Sequence, residues 1–299
     1  KKLNMLGKSY GTLLGATYAH LFPQNVGRIV LDGAVDPSVP IGEMNREQAK
    51  AFEVALNSYL DNYVEQCQVS GECPFGISRK EAQSTLVELI TNSDTEPLPS
   101  DSKRPVTQSE VILGIISSLY DSDGGWSALT PALTQAVQGD GTGLLALADF
   151  YVDRNESGKY DINSNEIGYA VNCLDKNETQ SIESVRSEAV ELSKISPTFG
   201  RYLAWSAFPC NYWPVAPKTV PVPLSAPSAN PILVVGTLRD PATPLRWAAS
   251  LAKQLGSGQL LTYNGDGHTA YTRGSSCVDS AVDRYFLSGK MPKIGLTCS

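Results

Sequence analysis

Only two histidines occur in the 299 residues, His20 and His268, so a reaction that needs an imidazole base has two positions to draw it from. No run of about 18 uninterrupted apolar residues is present, which excludes a membrane-crossing helix. Cationic clusters are lacking too: 24 lysines and arginines against 31 aspartates and glutamates leave a formal charge of -7, and the cations are scattered along the chain. Nucleic acid is thereby a poor candidate partner. Neither an internal repeat nor a low-complexity tract occurs, which argues against solenoids and repeat arrays. An initiating methionine and a signal peptide are absent. With 41% hydrophobic and 18% charged residues, the chain reads as globular and long enough for one large domain or two ordinary ones.

Gly7-Lys8-Ser9-Tyr10-Gly11 stands between the apolar run Leu3-Asn4-Met5-Leu6 and the helix-like run Thr12-Leu13-Leu14-Gly15-Ala16-Thr17-Tyr18-Ala19. A strand, a sharp turn carrying a serine and then a helix make a nucleophile elbow. Such a turn cramps the serine backbone, and the close approach of strand to helix predicts that both flanking positions must be glycine. The hydroxyl is presented at a helix N-terminus, whose N–H groups and dipole favour the negative charge that develops in acyl transfer. The pentapeptide alone is a weak signal, and its flanks carry the reading. The same residues approximate the end of a phosphate-binding loop, G-x-x-x-x-G-K-[ST]. That alternative fails at its first glycine, which is Lys2 here. An ordinary strand-to-helix turn would not demand glycine on both sides.

The strand before such a serine belongs in the middle of a sheet, yet only Lys1 and Lys2 precede this one. Parallel strands are buried on both faces and paired on both edges, so Leu3 to Leu6 would keep an open apolar edge. The expectation is a C-terminal portion of a larger enzyme, with a missing N-terminal half of the core as its partner. Arg28-Ile29-Val30-Leu31-Asp32-Gly33, Pro231-Ile232-Leu233-Val234-Val235-Gly236 and Gln259-Leu260-Leu261-Thr262-Tyr263 read as further parallel strands, with a helical pattern over 245–255 between the last two. Residues 1–40 and 229–299 are therefore expected to form one α/β core. Helical patterns recur over 43–66, 79–91, 108–120, 126–137, 143–151 and 182–194, and no convincing strand lies between residues 41 and 208. Pro209, Pro214, Pro217, Pro221, Pro223, Pro227 and Pro231 then crowd a stretch that cannot be helix. Residues 41–228 are expected to be a helical cap with a proline-rich return segment, lying over the sheet edge where ligands bind in open α/β sheets.

A serine hydroxyl needs a base, and that base a carboxylate to fix its tautomer. His20 lies about three turns along the helix from Ser9 and reads as structural or partly exposed. His268, in the loop Gly265-Asp266-Gly267-His268-Thr269 after the last strand, is the expected base. Asp240, in Thr237-Leu238-Arg239-Asp240-Pro241, is the expected acid, giving the chain order Ser, Asp, His. An Asp-Pro turn is its bland alternative. Asp32 and Asp36 are the runners-up for the acid. The backbone N–H of Tyr10 would supply one oxyanion donor; a second would come from a loop that this chain lacks, and losing one such donor costs a factor of order 10² to 10³. The chain by itself is expected to be weakly active or inactive. This chemistry calls for neither a cofactor nor a metal.

Six cysteines allow fifteen pairings. Spacing suggests a sequential set: Cys67 with Cys73 around a polar loop, Cys173 with Cys210, and Cys277 with Cys298 around the last helix-like segment. If they form, the protein matured in an oxidising compartment, secreted or in the cell envelope. Asn155-Glu156-Ser157 and Asn177-Glu178-Thr179 match the glycosylation triplet, which is common by chance.

These residues resemble the α/β-hydrolase superfamily and, within it, the secreted actinobacterial tripeptidyl aminopeptidases related to proline iminopeptidases. Leu6 to Thr12, Leu21-Phe22-Pro23, Val30 to Pro37, Cys173-Leu174-Asp175, Leu233 to Pro244, Gly265 to His268 and the terminal cysteines carry the likeness. It implies an α/β-hydrolase parallel sheet with only the C-terminal strands present, an inserted helical cap, and a serine peptidase removing short peptides from free N-termini. It also implies Ser9, Asp240 and His268 as the triad, and favours the three disulfides. An exopeptidase must read the substrate ammonium, for which Asp175 is the candidate and a solvated helix-end acid an equal reading; Glu166 and Glu178 are weaker. A carboxylesterase or lipase with the same triad and a non-catalytic binding module are the competing functions.

Overall fold

A computed structural model describes residues 1–175, 180–215 and 222–299. Asn177, Glu178 and Thr179, with Pro217 and Pro221, lie outside the described residues. In chain order the elements are β1 (Leu3–Lys8), α1 (Tyr10–Leu21), β2 (Val26–Asp32), α2 (Ile41–Ser70), α3 (Arg79–Asn92), α4 (Gln108–Leu119), α5 (Gly124–Val137), α6 (Thr142–Tyr151) and α7 (Ser164–Asp175). There follow α8 (Ile182–Ile195), α9 (Gly200–Leu203), β3 (Ile232–Arg239), α10 (Leu245–Leu255), β4 (Gly258–Asp266), α11 (Ser276–Ser288) and β5 (Thr297–Cys298). They divide into two compact units, residues 1–51 with 220–299, and residues 52–219.

The first unit is a five-stranded sheet in the order β1-β2-β3-β4-β5, with every neighbouring pair parallel. Side chains alternate across a strand, and the sequence supplies apolar residues at both parities. Ile29, Leu31, Ile232 and Val234 pack with Ala16 and Ala19 of α1 and Ala248, Leu251 and Leu255 of α10. Val30, Leu233, Val235 and Leu261 pack with Val278, Val282 and Tyr285 of α11. Both faces are covered, which explains why these strands read as unbroken apolar runs. The helices stop where the chain offers left-handed glycines, Gly256 after α10 (φ 70°) and Gly289 after α11 (φ 73°). The two-residue β5 was not foreseen; Cys277–Cys298 ties it to α11.

The boundary of this unit falls eleven residues later than the expected break after residue 40, for a physical reason. The start of α2 packs on the sheet unit: Val39 and Met44 lie against Trp247. The Glu47 carboxylate accepts from the Trp247 indole and the Arg246 guanidinium, and Gln48 donates to the Ala242 carbonyl at 2.9 Å. On the return, Leu224 and Ala226 are part of the sheet core, and the Ala226 N–H donates to the Leu255 carbonyl at 2.9 Å. These residues were expected in the cap.

The second unit is helical, with two isolated antiparallel bridges, Leu98 with Val106 and Arg154 with Tyr160. Phe52, Leu56, Tyr59 and Leu60 of α2 form its core with Leu86, Ile115, Leu119, Leu133 and Phe199. Ser78 caps α3 by accepting from Glu81 N–H, and Thr107 with Glu110 forms a capping box on α4. Neither α7 nor α9 was foreseen as a separate helix. The proline-rich return opens with a 3-10 turn over Phe208–Tyr212, contrary to the expectation of no helix there. Pro209 is tolerated because it sits in the first turn, where its missing N–H leaves no bond unmade. Cys67–Cys73 and Cys173–Cys210 form, so all three disulfides follow the sequential pairing. Asn155, of the first glycosylation triplet, spends its side-chain oxygen on Ser157 N–H, Ser157 hydroxyl and Lys159 N–H within a tight turn. Among the described residues no helix is long and apolar enough to cross a membrane.

One buried acid organises the second unit. The Glu53 carboxylate accepts from Ser196 Oγ (2.7 Å), Thr198 N–H (3.1 Å), Thr198 Oγ1 (3.0 Å) and the Gln83 amide. Four donors from α3 and the α8–α9 connection depend on it. Glu53→Ala should strand them in the interior and cost about 2 to 4 kcal/mol, read as a lowered urea midpoint at unchanged m-value.

Candidate active site

The site is assembled at the carboxyl ends of β1 to β4. Parallel pairing sets Lys8 opposite Asp32 and Asp32 opposite Val235, so the segments leaving these strands emerge at one edge of the sheet. Ser9 follows β1 directly, in a backbone conformation (φ 53°, ψ -121°) that a side chain rarely adopts. It persists because its surroundings over-determine it: Ser9 N–H donates to the Asp32 carbonyl at 2.9 Å, and its carbonyl accepts Thr12 N–H at 2.9 Å and Thr12 Oγ1 at 2.6 Å. Ser9 is the N-cap residue of α1, yet its side chain makes no capping bond. Tyr10 is the first residue of that helix, so its N–H lies in the turn whose N–H groups point out of the helix.

The expectation for the flanking glycines is half right. A Cβ on Gly7 would come within 2.4 Å of the Gly11 carbonyl oxygen, a backbone atom that cannot move aside. A Cβ on Gly11 would meet nothing within 4 Å. The crowding therefore lies at the last turn of the strand, against the helix backbone, and not on the helix side.

Asp240 follows β3, and His268 follows β4. The His268 Nδ1 lies 2.9 and 3.0 Å from the two carboxylate oxygens of Asp240. A carboxylate only accepts, so Nδ1 carries the proton and Nε2 is left as the basic nitrogen. Asp240 is buried, and its own loop satisfies it: Ala242 and Thr243 N–H donate to Oδ1, and Thr243 Oγ1 and Thr269 N–H donate to Oδ2. Thr243 Oγ1 also lies 3.3 Å from Nδ1. Thr243 and Thr269 escaped notice in the sequence, although Asp240 with acceptors spent two and three residues on is the signature of an Asx turn. Arg239 and Asp266, the residues ending β3 and β4, form a two-pronged pair at 2.7 and 2.8 Å, which steadies both loops. Hydrogen bonding to Asp266 raises the Arg239 guanidinium above its ordinary pKa.

The runners-up have other work. The Asp32 carboxylate, fully buried, accepts from Ala270 N–H at 3.0 and 3.1 Å and Tyr271 N–H at 2.9 Å. Burial raises its pKa, opposed by those N–H groups and by Lys8. Asp36 binds Ser38 and Gln254; burial pushes its carboxyl up, but the hydrogen bonds from Ser250, Ser38 and Gln254 outweigh it and leave the pKa below the ordinary value. It is the Asp240 carboxylate that meets the imidazole. Gly33, between them, has φ 67°, and a Cβ there would meet His268 Cε1 at 3.1 Å and Thr269 Cγ2 at 2.9 Å. The histidine ring thus lies against the backbone that follows Asp32, while Ser9 N–H is bonded to Asp32 itself. His20 is exposed, its Nδ1 2.8 Å from the Ser225 carbonyl, which agrees with a structural role. Asp175 is the last residue of α7 and Glu166 is exposed in its first turn, both in the second unit; Glu178 is outside the described residues. No group of three His, Cys, Asp or Glu side chains among the described residues could hold a metal.

A strained serine at a helix N-terminus and a histidine with its far nitrogen fixed by a buried carboxylate are the parts of a serine hydrolase. Two family models match the chain, one described as alpha/beta hydrolase fold over residues 1–83 and one as TAP-like protein over residues 196–298. The chain belongs to the α/β-hydrolase superfamily. Its relatives include a protein named serine protease Hip1 from Mycobacterium tuberculosis, 37% identical over 99% of this chain and 58% of the relative. Carboxylesterase B of the same organism is 33% identical over 93% of this chain and 53% of the relative. Tripeptidyl aminopeptidase of Streptomyces lividans is 29% identical over 100% of this chain and 55% of the relative. The chain thus spans a little over half the length of these proteins.

The unequal glycines yield a direct check. Gly7→Ala should push strand and helix apart and destabilise by about 2 to 3 kcal/mol, whereas Gly11→Ala, in open space on α1, should be neutral or stabilising by up to about 1 kcal/mol. Paired thermal melts would read the difference.

Proposed function

We propose that the protein is a serine peptidase that releases short peptides from free N-termini through an acyl-enzyme, with Ser9, His268 and Asp240 as nucleophile, base and acid. The contact of His268 Nδ1 with both oxygens of the buried Asp240 carries this reading. In the reaction, Ser9 Oγ attacks the scissile carbonyl carbon while His268 Nε2 takes its proton. The tetrahedral oxyanion accepts from Tyr10 N–H, one of the two donors such an intermediate requires. Collapse breaks the C–N bond as His268 returns the proton to the departing amine; water, activated by the same nitrogen, then cleaves the ester. Asp240 keeps accepting from Nδ1–H and steadies the imidazolium.

The name tripeptidyl aminopeptidase on one relative and serine protease on another support the peptidase reading. The name carboxylesterase on a third supports the rival, an esterase with the same triad. Asp175 is our candidate for the carboxylate that reads the substrate ammonium. Three disulfides support maturation in an oxidising compartment, outside the cytosol.

A fluorophosphonate probe should label Ser9 in the full-length gene product, and Ser9→Ala, His268→Ala or Asp240→Asn should lower kcat at least about 10³-fold. Peptidyl arylamides with free N-termini should be cleaved in preference to their acetylated forms and to short acyl esters, with Asp175→Asn raising KM for the free forms alone. An unlabelled Ser9 would remove the hydrolase reading; a preference for the esters would install the rival.

A further inference from the structure

We propose that Asp32 is a positioning residue that, together with Lys8, sets the distance between Ser9 and His268; this rests on the serine hydrolase reading above. Asp32 touches both halves of the site through different atoms. Its backbone carbonyl holds Ser9 N–H at 2.9 Å, and its carboxylate holds the N–H groups of Ala270 and Tyr271, two and three residues beyond His268. Lys8, immediately before the serine, donates from Nζ to the Tyr271 carbonyl at 2.6 Å and lies over the Tyr271 ring. The nucleophile and the base are therefore referenced to the same two residues at the ends of β1 and β2, which face each other in the sheet register.

The histidine loop needs such a clamp. Thr269 (φ 69°) and Thr272 (φ 63°) both occupy the left-handed region, which costs energy in any residue with a Cβ. Left to itself, a loop with two such residues would relax and carry the imidazole with it. Thr272 N–H is also held by Asp279, and Tyr271 hydroxyl by Asp283, both on α11. These two bonds restrain the far end of the loop, whereas the Asp32 contacts begin two residues from the ring. A carboxylate is suited to this place because its two oxygens take two adjacent N–H groups at once, and those donors and the Lys8 charge beside it oppose, without outweighing, the cost of its burial. Gly33 completes the device, since a Cβ there would crowd Thr269 Cγ2 at 2.9 Å and the His268 ring at 3.1 Å. Misplacing a base by about 1 Å costs of order 10² in rate, so the clamp should govern kcat and leave substrate affinity alone.

The test compares Asp32→Asn, which keeps the shape and one acceptor, with Lys8→Met and Lys8→Arg in the full-length protein. Asp32→Asn should lower kcat and the rate of fluorophosphonate labelling at Ser9 by about 10- to 100-fold, with KM within twofold of the parent. Lys8→Met should cost about 3- to 10-fold, and Lys8→Arg should restore most of it. Amide exchange should find Ala270 and Tyr271 protected in the parent and released in Asp32→Asn. Parental kcat in a folded Asp32→Asn, or a loss matched one for one by a loss of titratable active sites, would overturn the clamp, and so would unprotected Ala270 and Tyr271 amides in the parent. A parent that does not label Ser9 while those amides remain protected and depend on Asp32 would sink the hydrolase reading and leave the loop anchor standing.

Discussion

Parallel register is the constraint on which everything else in the sheet unit depends. Because β1 to β4 all run the same way and Lys8, Asp32 and Val235 sit side by side, four consecutive strand exits open at one edge. A slip of one residue in β2 would turn Ile29 and Leu31 toward the α11 side and Val30 toward the α1 side. It would also carry the Asp32 carbonyl away from Ser9 N–H. The packing of the two faces and the geometry of the site are thus one problem with one solution.

Within that frame, backbone strain is concentrated where chemistry is expected. Ser9, Thr269 and Thr272 all have positive φ, and all lie in the two segments that carry Ser9 and His268. Each is held by bonds from neighbouring segments: Ser9 by Asp32 and Thr12, the histidine loop by Asp32, Lys8 and Asp279. A relaxed loop would sample many ring positions, and the cost of holding one is met by a rigid sheet beneath. Asp240 illustrates the same economy. Its carboxylate takes local N–H donors from its own turn before it meets the imidazole, so its orientation does not depend on His268.

The helical unit solves a separate problem. Its core is built on the second half of α2, and the buried carboxylate of Glu53 gathers hydroxyl, amide and backbone donors from α3 and the α8–α9 connection. Disulfides close the end of α2 and join α7 to the 3-10 turn. Such links restrict the unfolded chain, the Cys173–Cys210 bridge across 37 residues and the Cys67–Cys73 bridge across only 6.

Much of this was legible in the order of residues. The run before Ser9, the helix after it, the β-branched strands and the glycine-rich loop at His268 each announce themselves by short-range pattern, and with two histidines to choose from, one lies on a helix far from its N-terminus. Sequential cysteine pairing was legible for the same reason, since each pair encloses a local segment. The start of α2 was misassigned because helical periodicity does not say which core a helix turn packs against; Trp247, two hundred residues on, decides that. Gly11 was over-read, since only the strand-to-helix geometry reveals that the crowding is at Gly7. Asp32 looked like a spare acid. Sequence alone determined which side chains could be nucleophile, base and acid, because those roles depend on residue type and on position after a strand. The fold alone decided that Asp32 grips the histidine loop and Asp240 the ring, because the Asp32 contacts join segments more than two hundred residues apart, whereas Asp240 lies 28 residues from His268.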